Sequence, residues 1–529
     1  MTRRARYILA TVLAAAVVAA GVLAWALGGR GGPIRDATEA GRPARIHPDY
    51  AGVTIPPNIA PMNFVVDEPA REVRARLTAG RGGAIEVKGR DGGIVIPPSA
   101  WRMMLDANKG GELSIDIFAR GHDGRWTHFD TVRNLISTDA VDDVLVYRLL
   151  DPVFNIWQDM GIYQRDLRSF DESAVVTNRN LATACMNCHT FNRNSPDPMV
   201  LHSRLGSGQF QGPAMILAQG GKAAKIDTRQ GGASSPASYI AWHPGGRLLA
   251  FSTNNLKQFF HTTGPDVREV VDLNSDLAVY SLDTGKVSTT PKISRPEALE
   301  TFPMWSPKGD YLYFCSAPAL WWDRTVRIPY DKYKDVRYSV MRIKYDAAAY
   351  TWGEVETVLS AADTKLSASE LRFSPDGRFL LMSMSDYGSF PIYRPGTAIW
   401  IMDMQTKKAR PVDEINSGRC DSWHCWSSSG RWVVFSSKRD NGLLARPYFS
   451  HVDEKGNFTK PFALPQEDPR HYDRFLLTYN LPELVTGRVT VGRKALEDAI
   501  NTPQAVTGAT PRTAASGPAQ SSEGPWKAN

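Results

Sequence analysis

The sequence predicts a mainly β protein with an internal repeat. The 529 residues include 43 Gly and 35 Pro, a composition that favours many turns and short strands over long helices. Four segments repeat one hairpin pattern, in which an aromatic residue ends a strand, a turn with Gly follows, and a run of β-forming residues comes next. Gly accepts the positive φ that closes such a turn, and Pro, present in three of the four, fixes the φ before it. The repeats begin at Trp242, Trp305, Phe373 and Trp426.

The four hairpins resemble the repeat of TolB-like (PD40/WD40-like) β-propellers. That resemblance is carried by the segments 242–247, 305–310, 373–378 and 426–431, and it covers roughly residues 236–465. It implies that each hairpin supplies the two inner strands of a blade. The predicted propeller spans residues 216–495, and the segments 214–226 and 474–491 are candidates for a further blade that closes the ring.

Other regions surround the predicted propeller. Residues 56–150 contain alternating segments at 84–88, 113–118 and 144–148, which predict a small β-sandwich-like domain. Residues 29–55 are rich in Gly, Pro and Arg and are predicted to be a linker. Residues 151–215 lose the alternation and form a short separate segment, and residues 496–529 are predicted to be a disordered tail.

The N-terminus predicts export from the cytoplasm. Arg3, Arg4 and Arg6 precede an apolar stretch over residues 7–27, which is long enough for one transmembrane helix within residues 1–28. Because basic residues stay on the cytoplasmic side, the rest of the chain is expected on the periplasmic side of the inner membrane. A cleaved signal peptide with a small-residue site at 24–26 is the alternative, which leaves the chain secreted to the periplasm.

The segment 151–215 contains the motif that carries chemistry. Cys185-Met186-Asn187-Cys188-His189 matches C-x-x-C-H, the attachment signature of a covalent c-type haem. In that chemistry Cys185 and Cys188 bond the two vinyl groups of one porphyrin edge, and His189 is the proximal ligand of the iron. The chain resembles haem-bearing, TolB-like propeller proteins, which implies that the haem is attached outside the cytoplasm. This agrees with the export that the N-terminus predicts. Three interpretations compete with a haem. The two cysteines could form a disulfide. A zinc site would need a second pair of ligands, and a thioredoxin-like dithiol would need a βαβ unit; the sequence shows neither.

The second axial ligand of the iron stays open at this stage. His202 and Met199 follow the motif closely, Met215 is a further candidate, and an iron without a second ligand is also compatible with the sequence. A thioether ligand would raise the reduction potential relative to two imidazoles. Of the two nearer candidates, His202 is the preferred one.

The resulting hypothesis is electron transfer by a membrane-anchored mono-haem cytochrome with a redox protein partner. Long loops are expected on one face of the propeller, at 254–274, 321–337 and 387–394, with His424 at the channel mouth on the same face. An enzyme with an open iron site, in which His261 or His424 acts as acid or base, and a non-catalytic TolB-like scaffold are the alternatives. The net charge of +7 without a long basic run gives no support for nucleic-acid binding.

Overall fold

The computed structural model of the chain is mainly β. It describes residue 34 and residues 36–152, 159–181, 185–205, 212–226, 228, 237–262, 268–320 and 332–502. The predicted membrane anchor therefore lies outside the described residues. Within those ranges no helix combines the length and the apolar character that crossing a membrane requires.

The N-terminal domain consists of a seven-stranded sheet, a three-stranded sheet and one helix, α1 (Pro98–Ala107). Trp101, Met104 and Leu105 on α1 are buried against the sheets. The strands are β1 (Thr38–Pro43), β2 (Ile46–His47), β3 (Thr54–Ile55), β4 (Phe64–Val66), β5 (Glu72–Ala79), β6 (Ile85–Lys88), β7 (Gly93–Ile94), β8 (Glu112–Arg120), β9 (Trp126–Asp130) and β10 (Val132–Ile136).

Two predicted boundaries of this domain are wrong. The predicted linker 29–55 contains β1, β2 and β3, which pair within the two sheets, so the domain begins well before residue 56. The predicted strand at 144–148 leaves the domain and joins the propeller. Short polar strands such as β1 carry no alternating apolar signal, because most of their side chains are exposed.

Six four-stranded sheets within the described residues form the blades of a β-propeller. The strands, in chain order, are β11 (Val144–Leu150), β12 (Gly161–Asp166) and β13 (Glu172–Thr177) of blade 1; β14 (Cys185–Phe191), β15 (Met199–Leu205), β16 (Gly212–Gln219) and β17 (Lys222–Ile226) of blade 2; β18 (Ala237–Trp242), β19 (Leu248–Phe260), β20 (Arg268–Ser281) and β21 (Lys286–Ser288) of blade 3; β22 (Ala298–Trp305), β23 (Tyr311–Pro318), β24 (Ser339–Asp346) and β25 (Thr351–Leu359) of blade 4; β26 (Ser367–Phe373), β27 (Phe379–Ser385), β28 (Ala398–Asp403) and β29 (Lys408–Pro411) of blade 5; and β30 (Asp421–Trp426), β31 (Trp432–Ser437), β32 (Arg446–His451) and β33 (Phe462–Ala463) of blade 6.

The C-terminal strand β34 (Thr478–Val485) closes the ring. It pairs with β11 and becomes the innermost strand of blade 1, so this blade combines the first and last strands of the propeller. The inner strands β34, β14, β18, β22, β26 and β30 contact one another in this circular order. The segments 214–226 and 474–491 therefore belong to two adjacent blades, whereas the sequence predicted one shared blade.

The propeller also includes most of the segment 151–215, which was predicted to be separate. That segment supplies β12 and β13 of blade 1 and the two inner strands of blade 2. Helix α4 (Arg493–Asn501) packs Leu496, Ala499 and Ile500 against blades 1 and 2, so residues 496–501 are helical rather than disordered. Residues 503–529 lie outside the described residues. The remaining helices are short: α2 (Ala361–Thr364), α3 (His471–Arg474) and the 3₁₀ turns Asn178–Asn180, Tyr333–Asp335 and Pro391–Tyr393.

The N-terminal domain and the propeller share one continuous hydrophobic core, which reaches into blades 1, 5 and 6. Trp432 of β31 is completely buried, and its indole Nε1 donates to the carbonyl of Asp139 at 2.9 Å. The side chain of Asp142 accepts from the backbone N–H of Ser428 at 2.8 Å. The domain therefore packs tightly against the outside of the ring.

Ring closure by β34 leads to a prediction about truncation. A chain that ends at Asp468 lacks β34, leaves the ring open, and is expected to lose cooperative thermal unfolding, because blade 1 loses its inner strand. A chain that ends at Thr502 removes only residues outside the described part and is expected to keep the full-length Tm. Circular dichroism during heating measures both, and an unchanged Tm in the shorter chain would contradict the topology.

Candidate functional site

The C-x-x-C-H motif lies on β14, the innermost strand of blade 2, and faces the central channel of the propeller. The sequence placed it on a segment beside the propeller. The blade was missed because the turn after β14, residues 192–198, lacks the Trp-Ser-Pro-Gly pattern of the other hairpins.

A β-bulge at Cys188 sets the direction of the two thiols. Asn187 pairs with His202 on β15, and His189 pairs with the adjacent Leu201, so Cys188 is an extra residue without a partner. Because side chains alternate along a strand, residues three positions apart point to opposite faces unless a bulge reverses the alternation. With the bulge, Cys185 and Cys188 both line the same cavity.

This cavity lies at the mouth of the channel, on the face where the inner strands begin. Besides the two thiols it is lined by residues from blades 1, 2, 3, 5 and 6, and about 120 Å³ of it is open to water. All five cysteines are free in the structure. Burial raises the pKa of Cys185 and of Cys188, so both are protonated thiols at neutral pH.

His202 lines the same cavity as the two thiols. It is completely buried, and neither of its ring nitrogens has a hydrogen-bond partner in the part of the chain that the structure describes. Burial and then the nearby charges of Arg204 and Arg148 hold its pKa well below the usual range, which keeps the imidazole neutral. Burying a polar group without a hydrogen-bond partner destabilises the folded state, which makes this side chain a candidate metal ligand.

The two methionine candidates lie elsewhere. Met199, the first residue of β15, is buried in the apolar core between blades and pairs with Phe191, three residues before His202. Met215 lies directly opposite His202 in the ladder, yet its side chain packs in the core around Trp242. Neither of the two lines the cavity.

His189 lies in a narrower part of the channel below this cavity, and Cys188 borders both spaces. Its ring lies beside the backbone of Val146, and neither ring nitrogen has a hydrogen-bond partner within the described ranges. Burial, together with the charge of Arg148, lowers the pKa of His189 to about 3, so this imidazole is also neutral.

A ring of bulged residues forms the neck of the channel. In the five other inner strands, one residue of a bulge adopts a positive φ: Tyr239, Phe302, Glu370, Trp423 and Leu481. Positive φ is rare for such side chains, so the repeated strain marks a constrained position. Together with Cys188 these residues line the neck. Nothing in the sequence pattern distinguishes them.

The elaborate loops lie on the mouth face, but their form differs from the prediction. Residues 254–274 belong largely to a long hairpin, in which β19 ends at Phe260 and β20 begins at Arg268. The segment 387–394 packs at the mouth through Phe390, Ile392 and Tyr393, whereas residues 321–331 lie outside the described residues. His424 lies inside the neck with His189 rather than at the mouth, because it follows the bulge of β30. His261 lies 3.7 Å from the carboxylate of Glu269 and does not line the cavity.

Comparisons with known proteins leave the family open. No protein-family model and no curated protein sequence matches the chain. A periplasmic gluconolactonase of Pseudomonas aeruginosa is 12% identical, covers 64% of this chain and 99% of its own, and has a TM-score of 0.31. An oligogalacturonate lyase of Vibrio parahaemolyticus is 11% identical, with coverages of 74% and 100% and a TM-score of 0.32. A proposed 6-phosphogluconolactonase of Bacteroides uniformis is 10% identical, with coverages of 75% and 98% and a TM-score of 0.33. Similarity at this level carries no argument about function.

Glu370 in the neck gives a prediction for the pH dependence of stability. Its side chain accepts hydrogen bonds from the Ser383 hydroxyl and the Trp423 backbone, both at 2.7 Å, but burial raises its pKa to about 7. An ordinary carboxyl ionises near pH 4.5 in the unfolded chain, so the folded state binds more protons between these values. The free energy of unfolding therefore falls as the pH rises from about 4.5 to about 7.

The variant Glu370→Gln is expected to make this decline shallower by the share of one group, about 1–3 kcal/mol, while Glu300 and Glu483, whose pKa values burial also raises to about 7, keep theirs. Urea unfolding at pH 5 and pH 8 measures it, and Glu297→Gln, on an exposed residue, serves as the control. Equal pH dependence in wild type and Glu370→Gln would show that the carboxyl ionises normally in the folded protein.

Proposed function

We propose that this chain is a c-type cytochrome that carries one covalent haem at Cys185 and Cys188 and acts in electron transfer. In this proposal His189 is the proximal ligand of the iron and His202 the distal one. The observation that carries it is the convergence of both motif thiols and His202 on one cavity at the channel mouth.

The thiols suit covalent attachment. Each thioether bond needs a free cysteine sulfur within reach of a vinyl group at one edge of the porphyrin. Cys185 and Cys188 are both free thiols, and both line one cavity. A zinc site at the motif finds no support, because no group of three or more candidate ligands able to hold a metal ion occurs in the described ranges. A haem iron needs only the one or two axial ligands that the protein supplies here.

The imidazoles suit an iron ligand. A histidine binds a metal through a neutral ring nitrogen, and the low pKa values of His189 and His202 keep both rings neutral at physiological pH. Ligation would also give a partner to one of the two His202 ring nitrogens, neither of which has one among the described residues. A haem bound at this place would supply reversible one-electron chemistry. Because only about 120 Å³ of the cavity is open to water, side chains at the mouth must move apart to admit the porphyrin.

The setting of the site follows from the sequence. Residues 1–28 are proposed to anchor the chain in the inner membrane, with the propeller on the periplasmic side and a redox protein as partner. The repeated hairpins at Trp242, Trp305, Phe373 and Trp426 support a TolB-like relationship. All four aromatic residues end inner strands, as that resemblance implies.

Covalent attachment is the first test of this proposal. Expression with a c-type maturation system is expected to give one haem per chain in a pyridine haemochrome spectrum. Cys185→Ala and Cys188→Ala should each lose the two-thioether spectrum, because each removes one of the two sulfurs. Cys315→Ala, which changes a buried thiol outside the cavity, should keep it. Colourless wild-type protein from a competent host would refute the assignment.

The distal ligand is the second test. With two imidazoles on the iron, the wild type is expected to show a low-spin absorption spectrum that does not respond to carbon monoxide. His202→Ala should give a high-spin spectrum that does respond, whereas Met199→Ala on the same strand should behave like the wild type. A high-spin wild type that binds carbon monoxide would instead favour an enzyme with an open iron site.

A further inference from the structure

Two arginines lie beside the motif, and neither has a carboxylate partner among the residues that the structure describes. Arg148 on β11 is 8% exposed, and its Nη1 donates to the carbonyl of Met186 at 3.2 Å and to the side-chain oxygen of Asn187. These hydrogen bonds hold its charge against the motif strand. Arg204 on β15 is half-buried and lies directly opposite Cys185 in the ladder.

Both guanidinium groups line the cavity, and neither forms an ion pair with any described residue. The carboxylates that share the cavity are Asp151 and Asp159, and Asp159 is paired with the exposed Arg179 at 3.5 Å. Neither Asp151 nor Asp159 lies within ion-pair distance of Arg148 or Arg204, so the two guanidinium charges are not directly paired among the described residues. In a buried site the effective dielectric constant is low, so such charges act strongly on a neighbouring group.

We infer that Arg148 and Arg204 raise the reduction potential of the iron centre and so make it easier to reduce. The inference rests on the proposed function. Reduction removes one positive charge from the iron, so nearby unneutralised cations favour the reduced form. In the reaction one electron passes from a reduced one-electron carrier protein to the iron, and no bond forms or breaks. Arg148 and Arg204 act on the iron through their electric field and do not bind it.

Potentiometric titration of the haem-loaded, full-length protein tests this inference. Arg148→Gln removes the charge but keeps donors for the Met186 and Asn187 oxygens, and Arg204→Met removes the charge on the neighbouring strand. Each variant is expected to have a lower midpoint potential than the wild type, and the double variant a lower one still. Arg148→Lys should stay close to the wild type, since it keeps the charge. Arg133→Met, which removes a charge from a side chain of the N-terminal domain that is 65% exposed and does not line the cavity, should leave the midpoint unchanged.

The absorption spectrum of each variant separates a field effect from a change of ligands. An unchanged or higher midpoint in Arg148→Gln and Arg204→Met, with wild-type spectra, overturns the inference and leaves the cytochrome assignment intact. If Arg148→Gln fails to fold, Arg204→Met on its half-buried site decides in the same way. Wild-type protein without covalent haem refutes the proposed function itself, and the inference with it.

Discussion

The alternation of side chains along a β-strand is the constraint on which the candidate site depends. A C-x-x-C pair on a regular strand would send its two sulfurs to opposite faces of the blade. The bulge at Cys188 reverses this alternation between the cysteines, so both line one cavity. The five other inner strands carry a bulge at the equivalent place.

The neck therefore contains several features that destabilise the fold, and packing elsewhere in the molecule offsets their free-energy cost. Positive φ at residues such as Trp423 and Leu481 costs about 1–3 kcal/mol at each position. The buried carboxyl of Glu370 adds desolvation to that strain. Closure by β34 and the core shared with the N-terminal domain supply the stabilisation, since both bury large apolar side chains such as Trp432.

The sequence predicted the features that arise from local patterns. Trp242, Trp305, Phe373 and Trp426 each mark an inner strand and its turn, because the aromatic residue and the following Gly act within one hairpin. The proximity of His202 to the motif was also foreseeable, since 12 to 13 residues are enough for one hairpin to return to its start. Blade 1 was not foreseeable in the same way. Its inner strand comes from residues 478–485, more than 300 residues after β11, and long-range pairing of this kind leaves no local signal.

The location of the motif decides how a haem there could work. Cys185 begins an inner strand at the mouth face, whereas His189 points into the neck, so the site lies between solvent and a narrow channel. The neck side is closed by large side chains, including Tyr239 and Phe302, whose ring centroids lie 4.1 Å apart. A partner protein could therefore approach the iron only from the mouth, past the long β19–β20 hairpin. The same enclosure keeps Arg148 from water, so its charge acts through a medium of low dielectric constant. Under the proposed function, electron access and tuning of the potential would both arise from the placement of the motif on an innermost strand.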